Sequence, residues 1–514
     1  VTPGADGAVA AGEAQTLVEA GSKAFEKGFE YFYEAFDPAH GGFGGAPKFP
    51  RASNLTFLLR VAALQGPGSD LARESVKLVT ATLQRMARGG VHDHVGGGFH
   101  RYSVDDGWFV PHFEKMLYDQ AQIALNALEA RQATGDERFA WLARDILDYV
   151  ARDLTHPEGA FYTAEDADSL IAAGRPEHAE GAFYVWTADE LRSALGETYA
   201  FLAEHFGVED AGNVPANLDP QGELRGKNIL VQRRSLAESA QRLGVSLEKA
   251  NDHLIASLQR LREVRAKRPR PHRDDKILTA NNGLMISAFA KAHQLLERGV
   301  EAATSTYLQA AQRAAEFLQR ELHDAASGQL YRAWREGRGR TPAFAEDYAF
   351  LIQGLLDLYE ADFDARWLRW AETLQATMDR QFWDEAKGGY FNSGADDPSS
   401  VLRLKEDYDG AEPAPSSVAA MNLLRLVPFL SGQPGPVAPA RPCRIGSAAP
   451  SVSKRSARNG VECRRPCRRC FAPSNSPWSR RVMWCSPAIL PRRIFANWLG
   501  CSPPGSGLAA RSSP

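Results

Sequence analysis

Long amphipathic stretches follow one another at short intervals, and a chain patterned this way has few ways to fold. Apolar residues recur at helical spacing over residues 14–35, 53–65, 70–88, 114–133, 136–152, 246–265, 280–297, 303–322, 344–360, 365–381 and 415–430. Leu117, Ala121, Ala124 and Leu128 share one helical face, as do Phe344, Tyr348, Leu351 and Leu355. Short links between neighbours predict antiparallel hairpins. The junction running from Leu128-Glu129-Ala130 to Asp136-Glu137-Arg138-Phe139 resembles that from Tyr359-Glu360-Ala361 to Asp364-Ala365-Arg366-Trp367, a faint repeat of one hairpin. Eleven helices fall one short of the twelve that close six hairpins into an (α/α)6 toroid. The expectation is an all-α toroid, incomplete at its C-terminal seam, with an open α-solenoid as the structural alternative.

Small residues precede an aromatic in several connections: Gly41-Gly42-Phe43, Gly97-Gly98-Phe99, Gly159-Ala160-Phe161, Gly181-Ala182-Phe183 and Gly388-Gly389-Tyr390. Glycine permits a tight turn and the aromatic suits a short strand, which predicts small β elements in the loops at one end of the helices.

Charge divides the chain in two. The net −3 conceals 46 basic and 62 acidic residues in 1–432 against 14 basic residues (13 Arg and Lys454) and one acid, Glu462, in 433–514. All six cysteines (Cys443, Cys463, Cys467, Cys470, Cys485 and Cys501) lie in that second segment. Residues 1–432 therefore form the helical domain. Residues 433–514 are expected to be disordered or read out of frame; a basic arm or a metal knuckle around Cys467 and Cys470 are the alternatives. The acidic body disfavours nucleic acid, no apolar run is long enough to span a bilayer, and a cysteine-free body without a visible signal predicts a cytoplasmic protein. Neither GxGxxG opening a helix after a strand nor GxxxxGK[ST] occurs, so no nucleotide cofactor is expected, and no metal is assigned.

Polar residues gather where loops open helices. Gly96 to Asp105 and Trp108 to Asp119 deliver His100, Arg101, Tyr102, Trp108, His112, Glu114 and Tyr118. A histidine beside a carboxylate at a helix start suits acid–base work, although a capped helix with a structural histidine would read the same. His92-x-His94 lacks a carboxylate pair to complete a metal site. Phe161 to Ser169 places Glu165, Asp166 and Asp168 within four residues, a cluster that raises one pKa or forms a solvated loop, and that lacks the spaced ligands of a calcium loop. Arg268 to Lys276 presents His272, Arg273, Asp274 and Asp275, with Asn282 following. Glu346-Asp347-Tyr348 and Glu406-Asp407-Tyr408 repeat an acidic opening that also suits a helix dipole. Aromatics such as Trp186, interleaved with acids, His and Arg, fit a sugar: rings cover its faces and polar groups read its hydroxyls.

Phe43 to Pro50, Gly96 to Tyr102, Pro111 to Asp119, Ala164 to Ser169, Arg268 to Lys276 and Glu346-Asp347-Tyr348 together resemble the thioredoxin-domain-containing protein family related to spermatogenesis-associated protein 20, over roughly residues 1–430. The resemblance implies a six-hairpin glycosidase-like domain, similar in fold to N-acylglucosamine 2-epimerase, that follows a thioredoxin-like domain. That first domain is not recognised in this sequence. The family pattern Ser-Trp-Asn-Gly-Leu is replaced by Ala280-Asn281-Asn282-Gly283-Leu284, and Thr-Pro-Ser-Gly-Asn-Ser by Glu412-Pro413-Ala414-Pro415-Ser416-Ser417.

The expected function is carbohydrate chemistry by proton transfer: epimerisation, isomerisation or glycoside hydrolysis. His100, His112 and His272 are the candidate bases of an epimerase, with Asp274 or Asp275 orienting them. Glu114, Glu165, Asp166 and Asp274 are the carboxyl pool of a hydrolase. Arg101, Tyr102, Trp108, Tyr118, Asp168, Trp186, Arg273, Asn282, Glu346, Asp347, Tyr348 and Glu406 are expected to bind substrate. The expected partner is a small sugar or glycan. The alternative is a non-catalytic module that binds a glycan or a partner protein.

Overall fold

A computed structural model describes residues 6–297, 304–395 and 402–430. Its helices are α1 (Asp6–Ala35), α2 (Ala52–Gln65), α3 (Asp70–Arg88), α4 (Leu117–Thr134), α5 (Glu137–Asp153), α6 (Ala188–Leu195), α7 (Tyr199–Phe206), α8 (Leu236–Leu243), α9 (Leu247–Arg265), α10 (Thr279–Leu296), α11 (Thr306–Glu321), α12 (Ala345–Asp362), α13 (Ala365–Phe382) and α14 (Pro415–Leu430). Every predicted amphipathic stretch contains a helix. The short α6, α7 and α8 were not foreseen, because eight residues hold barely two turns of periodic signal. The segment 433–514 lies outside the described residues.

The protein is an all-α toroid built from helical hairpins. Helices α2, α4, α10, α12 and α14 pack in that order as an inner arc, and α3, α5, α11 and α13 pack outside them. Patterning sets the layer. Inner α4 and α10 are buried almost all round, whereas α5 and α13 bury one stripe. Both predicted repeat junctions are the same turn: Asp136 and Asp364 each cap a helix by accepting from the backbone N of Arg138 and Arg366, at 2.9 Å in both cases.

One expectation is corrected. Helix α9 is not a member of the ring but packs on α6, α7 and α8, with Trp186, Leu191, Leu202, Phe206 and Leu261 forming a separate apolar cluster. The described ring thus holds ten helices, counting α1, rather than eleven. At the end of the arc, α14 leaves Met421, Leu424 and Val427 about half exposed. Among the described residues no helix is long and apolar enough to cross a membrane.

The glycine–aromatic turns form a repeat deeper than their sequence suggests. In three of them an aspartate carbonyl accepts from a glycine N four residues on: Asp37 from Gly41, Asp93 from Gly97 and Asp384 from Gly388, each at 2.8 Å. The aromatic then bridges back to the end of the preceding segment, as Phe43 to Phe36, Phe99 to His92 and Tyr390 to Trp383. In each turn a lysine ahead of the next inner helix returns to the aspartate carboxylate: Lys48 to Asp37 at 2.6 Å, Lys115 to Asp93 at 2.8 Å and Lys405 to Asp384 at 2.6 Å. Each hairpin is thereby pinned to the next.

Short strands collect at the N-terminal ends of the inner helices. β1 (Tyr102–Ser103) pairs with β2 (Pro111–His112), and β3 (Lys115–Met116) pairs with β4 (Ala164–Glu165). β5 (Asp168–Leu170) pairs with β6 (His178–Glu180), and β7 (Arg273–Asp274) lies on the other side of β4. β8 (Ile277–Leu278) pairs with β11 (Ala333–Trp334), while β9 (His323–Asp324) and β10 (Gln329–Leu330) form a hairpin. The register sets Lys115 opposite Glu165 and Glu165 opposite Arg273, which brings the loops ahead of α4 and α10 to either side of β4. Helix-opening residues therefore share one mouth.

Candidate active site at the mouth of the helical ring

A cleft of about 220 Å³ opens at this mouth, lined by Phe49 to Ala52 at the start of α2, Arg101, Tyr118 and Asp119 at the start of α4, and Gly410 and Ala411 ahead of α14. The walls are tied across the ring. Gln122 Nε2 donates to the Ala411 carbonyl at 2.8 Å, and Arg51 donates to the Tyr408 hydroxyl at 3.2 Å. Arg101 is fixed twice to Glu114, through its backbone N to the Glu114 carbonyl and its guanidinium to Oε2, each at 2.8 Å.

Among the described residues, two carboxyl groups at the mouth have no ion-pair partner. Asp119 is 8% exposed and its Oδ2 has no hydrogen-bond partner. Burial pushes its carboxyl well above the usual carboxylate range, Arg101 opposes this, and Glu412 and Glu114 reinforce it. Glu412 Oε1 is also unpartnered, and burial, helped by Glu346 and Asp347, raises that carboxyl to about 7. Asp347 accepts from the backbone N of Phe344 at 2.9 Å and of Ala280 at 3.0 Å. Its ion pair with Arg332 at 3.2 Å is shared with Glu346 at 2.6 Å. Burial outweighs that shared cation and raises Asp347 to about 7.

These shifts make a stability prediction. Asp347 and Glu412 bind a proton more tightly folded than unfolded, so their contribution is complete below about pH 4 and is lost as pH rises through about 7. The melting temperature is expected to fall between about pH 5 and pH 8. An Asp347→Asn/Glu412→Gln double variant should flatten that slope in calorimetry, and an unchanged slope would refute the assignment.

Beside the cleft, His112 Nδ1 meets Glu180 Oε1 at 2.7 Å while its Nε2 lies 3.8 Å from Glu114 Oε2. The bond to Glu180 raises the imidazole pKa despite partial burial, and the ring stacks on Tyr102 at 4.9 Å. His112 is thus held between Glu180 and Glu114 with its basicity raised.

Of the other residues expected here, several belong to the interior instead. His100 is 2% exposed and its Nδ1 is bonded to the Phe113 carbonyl at 2.8 Å; burial depresses its basicity, so it is a core histidine, not a base in the cleft. Trp108 is buried and donates to the His40 carbonyl, and Trp186 is buried under the Arg268 guanidinium. Glu165 is held by Arg270 and the Tyr149 hydroxyl. Asn282 spends its amide on both backbone groups of Phe161 and on the Leu278 carbonyl, so it clamps a strand rather than a ligand. Tyr348 is fully buried, its hydroxyl accepting from Leu330 N.

The rest remain accessible around the rim. Asp166, Asp168, His272 and Arg273 are exposed, and the Arg273 guanidinium covers the Tyr162 ring. Asp274 pairs with Lys276, Asp275 with Arg335, and the exposed Glu406 with the Asn392 amide. Of the three histidines expected as bases, His100 is sealed in the core, His112 is bonded to Glu180 and His272 is exposed on the rim. Sequence reasoning missed Asp119, Glu180, Arg332 and Glu412. Asp119 left one signal, an acid in the first turn of α4 beside Leu117 and Tyr118. Among the described residues no group of three His, Cys, Asp or Glu could hold a metal ion. His92 is instead bonded to Asp145, and His94 to the Gly89 carbonyl.

Fold and mouth together define a helical-hairpin toroid with an acid-rich cleft at the N-terminal ends of its inner helices. No family model matches the chain. It is 45% identical over 423 residues to human spermatogenesis-associated protein 20, covering 78% of this chain and 52% of that one. An uncharacterized protein of Caenorhabditis elegans is 38% identical over 430 residues, covering 80% of this chain and 57% of that one. The chain is similar to the spermatogenesis-associated protein 20 sequences of human and mouse, and it spans about half the length of the curated relatives it matches. A glycoside hydrolase family 76 mannosidase from Bacteroides thetaiotaomicron aligns at a TM-score of 0.43 and 8% identity over 80% of this chain and 82% of that one, a likeness too distant to define an activity.

Proposed function

We propose that the mouth is a carbohydrate site where carboxyl groups exchange protons with a sugar. The observation that carries this is Asp119: a buried carboxyl on the cleft wall, pushed by burial well above the usual carboxylate range, with the rings of Phe49 and Tyr118 and the Arg101 guanidinium that pairs with Glu114 lining the same cleft. A carboxyl raised by burial and one held in an ion pair with Arg101 divide, in this reading, the acid and base roles between them. In this reading Asp119 gives a proton to a leaving or ring oxygen, Glu114 accepts one, and Arg101 and Tyr118 hold hydroxyls. His112, oriented by Glu180, is a second donor. Two carboxyl groups suit glycoside hydrolysis better than two-base epimerisation, for which His100, His112 and His272 are the candidate bases. Residues 433–514 have no part in this proposal.

The test is turnover on a panel of aryl glycosides and oligosaccharides, with solvent-deuterium incorporation into free sugars as the epimerase assay. Asp119→Asn is expected to lower any activity by about 10²- to 10⁴-fold while the melting temperature holds. Full activity in that variant would refute the assignment. Saturable sugar binding without turnover would instead favour the non-catalytic module.

A further inference from the structure

Among the described residues, three charged side chains line the cleft: Arg51, Arg101 and Asp119. Glu114 matches Arg101 at 2.8 Å, and burial pushes the Asp119 carboxyl well above the usual carboxylate range. Arg51 is left over. Its guanidinium donates to the neutral hydroxyl of the exposed Tyr408 at 3.2 Å and lies 5.6 Å from the centre of the Phe49 ring. Among the described residues it pairs with no carboxylate. Asp407 and Asp409 flank that tyrosine, yet neither reaches Arg51, and Asp409 is turned to the backbone N of Ala414 at 2.8 Å. The first turn of α2, which Arg51 opens, holds no acid either. The backbone adds a second observation. With φ 48° and ψ 55°, Arg51 sits in the left-handed region that residues other than glycine seldom adopt. Glycine would adopt it without strain, so a long cation stands at the mouth where the local backbone favours no side chain at all.

We infer that Arg51 receives an anionic group of the substrate, so that the cleft takes a sugar bearing a carboxylate or a phosphate in preference to a neutral one. This rests on the carbohydrate reading above and narrows it. A guanidinium can meet either anion with two parallel N–H bonds, and the Phe49 ring beside it supports the planar fork. A charged oxygen is a stronger acceptor than the Tyr408 hydroxyl it would displace. An anion in this cleft would also push Asp119 in the direction burial already pushes it, toward the protonated form that a proton donor needs. The two assignments are therefore compatible: Arg51 holds the substrate's charge while Asp119 keeps its proton.

The experiment is calorimetric titration of the full chain with glucose, glucuronate and glucose 6-phosphate at low ionic strength, with sodium acetate and sodium phosphate alone as controls. One of the two acidic sugars is expected to bind about tenfold or more tighter than glucose, and the tighter of them names the anion. Raising the salt to about 0.5 M should shrink the preference, because the cleft is open to solvent. Arg51→Gly suits the left-handed backbone, so the melting temperature should hold while the preference falls to parity. Arg51→Lys keeps the charge without the fork and should retain only part of the preference. Should Arg51→Gly fail to fold, Arg51→Lys and the salt series decide. Equal affinity for all three sugars, or a preference that survives in Arg51→Gly, would overturn the anion site yet leave the carbohydrate reading standing. No binding of any sugar would overturn both. Acetate or phosphate alone binding as tightly as the acidic sugars would make this a bare anion site and overturn the inference.

Discussion

Asp93→Asn is expected to destabilise the fold by about 3–5 kcal/mol, more than any other single change in charge considered for this protein. The carboxylate accepts both guanidinium nitrogens of Arg265 at 2.7 and 2.9 Å and the Lys115 ammonium at 2.8 Å. It also accepts from the backbone N of Val95 at 3.1 Å and of Gly96 at 2.9 Å. Burial alone would raise the carboxyl; Arg265 and Lys115 overcome it and hold Asp93 well below the usual range. Asparagine keeps the shape and removes the charge, leaving two buried cations with no direct ion pair among the described residues and only the field of Glu165 to offset them. Burial already lowers the Lys115 pKa, so that lysine should then fold as the neutral amine. The consequence reaches beyond one turn, since Arg265 ends α9 and Lys115 precedes α4. Asp93 is therefore the bolt between the α6–α9 cluster and the ring. The matching turns give the control. Asp37 and Asp384 make the same lysine bond in more exposed settings, with side chains 20% and 12% accessible. Asp37→Asn and Asp384→Asn are expected to lose only about 1–2 kcal/mol each. Urea unfolding of the three variants would show this order, and equal losses would sink the argument from burial.

That repeat also marks how far the sequence could be read. Helices were legible because inner and outer members differ in how far round they are apolar, and because Asp136 and Asp364 announce two identical hairpin turns. The convergence of helix-opening loops followed from topology alone. What failed was the assignment of side chains to cleft or core. His100 lies in a stretch rich in polar residues, yet its neighbours Phe113 and Tyr184 close over it, a packing fact that no spacing encodes. The lysine–aspartate pins were invisible for a similar reason: their separations are 11, 22 and 21 residues, because an insertion of variable length sits between turn and helix. Membership of α9 in the ring was misread because its periodicity is the same whichever cluster it packs on. Asp119 was passed over because an acid inside an apolar helix start looks like a cap. Only its burial and its unmade bond distinguish it.

Gly354→Ala is expected to cost about 3 kcal/mol, against the roughly 1 kcal/mol that alanine normally gains over glycine inside a helix. Helices α10 and α12 cross backbone on backbone at Gly283 and Gly354. A methyl group on Gly354 would lie 2.4 Å from the Gly283 carbonyl oxygen and 3.3 Å from Ile286 Cβ. One on Gly283 would lie 2.5 Å from both Leu351 N and Phe350 C. The obstructing atoms are main chain in fully buried helices, so no side chain can swing aside and the helices themselves must part. Gly21→Ala on α1, where the added carbon meets nothing within 4 Å, should instead stabilise by about 0.5–1 kcal/mol. The pair separates collision from propensity in one thermal-melt series; a neutral Gly354→Ala would mean the crossing can open freely. It would also carry a functional reading. Asp347 opens α12 and accepts the backbone N of Ala280 on α10, so parting these helices breaks that bond at the mouth. Burial is the largest push on Asp347 and outweighs the opposing pull of the Ala280 N–H, so a less buried Asp347 should titrate closer to an ordinary aspartate, and the pH dependence of stability between about 5 and 8 should shrink along with the stability itself. A variant that loses stability but keeps the full pH slope would show that the crossing and the mouth are not coupled.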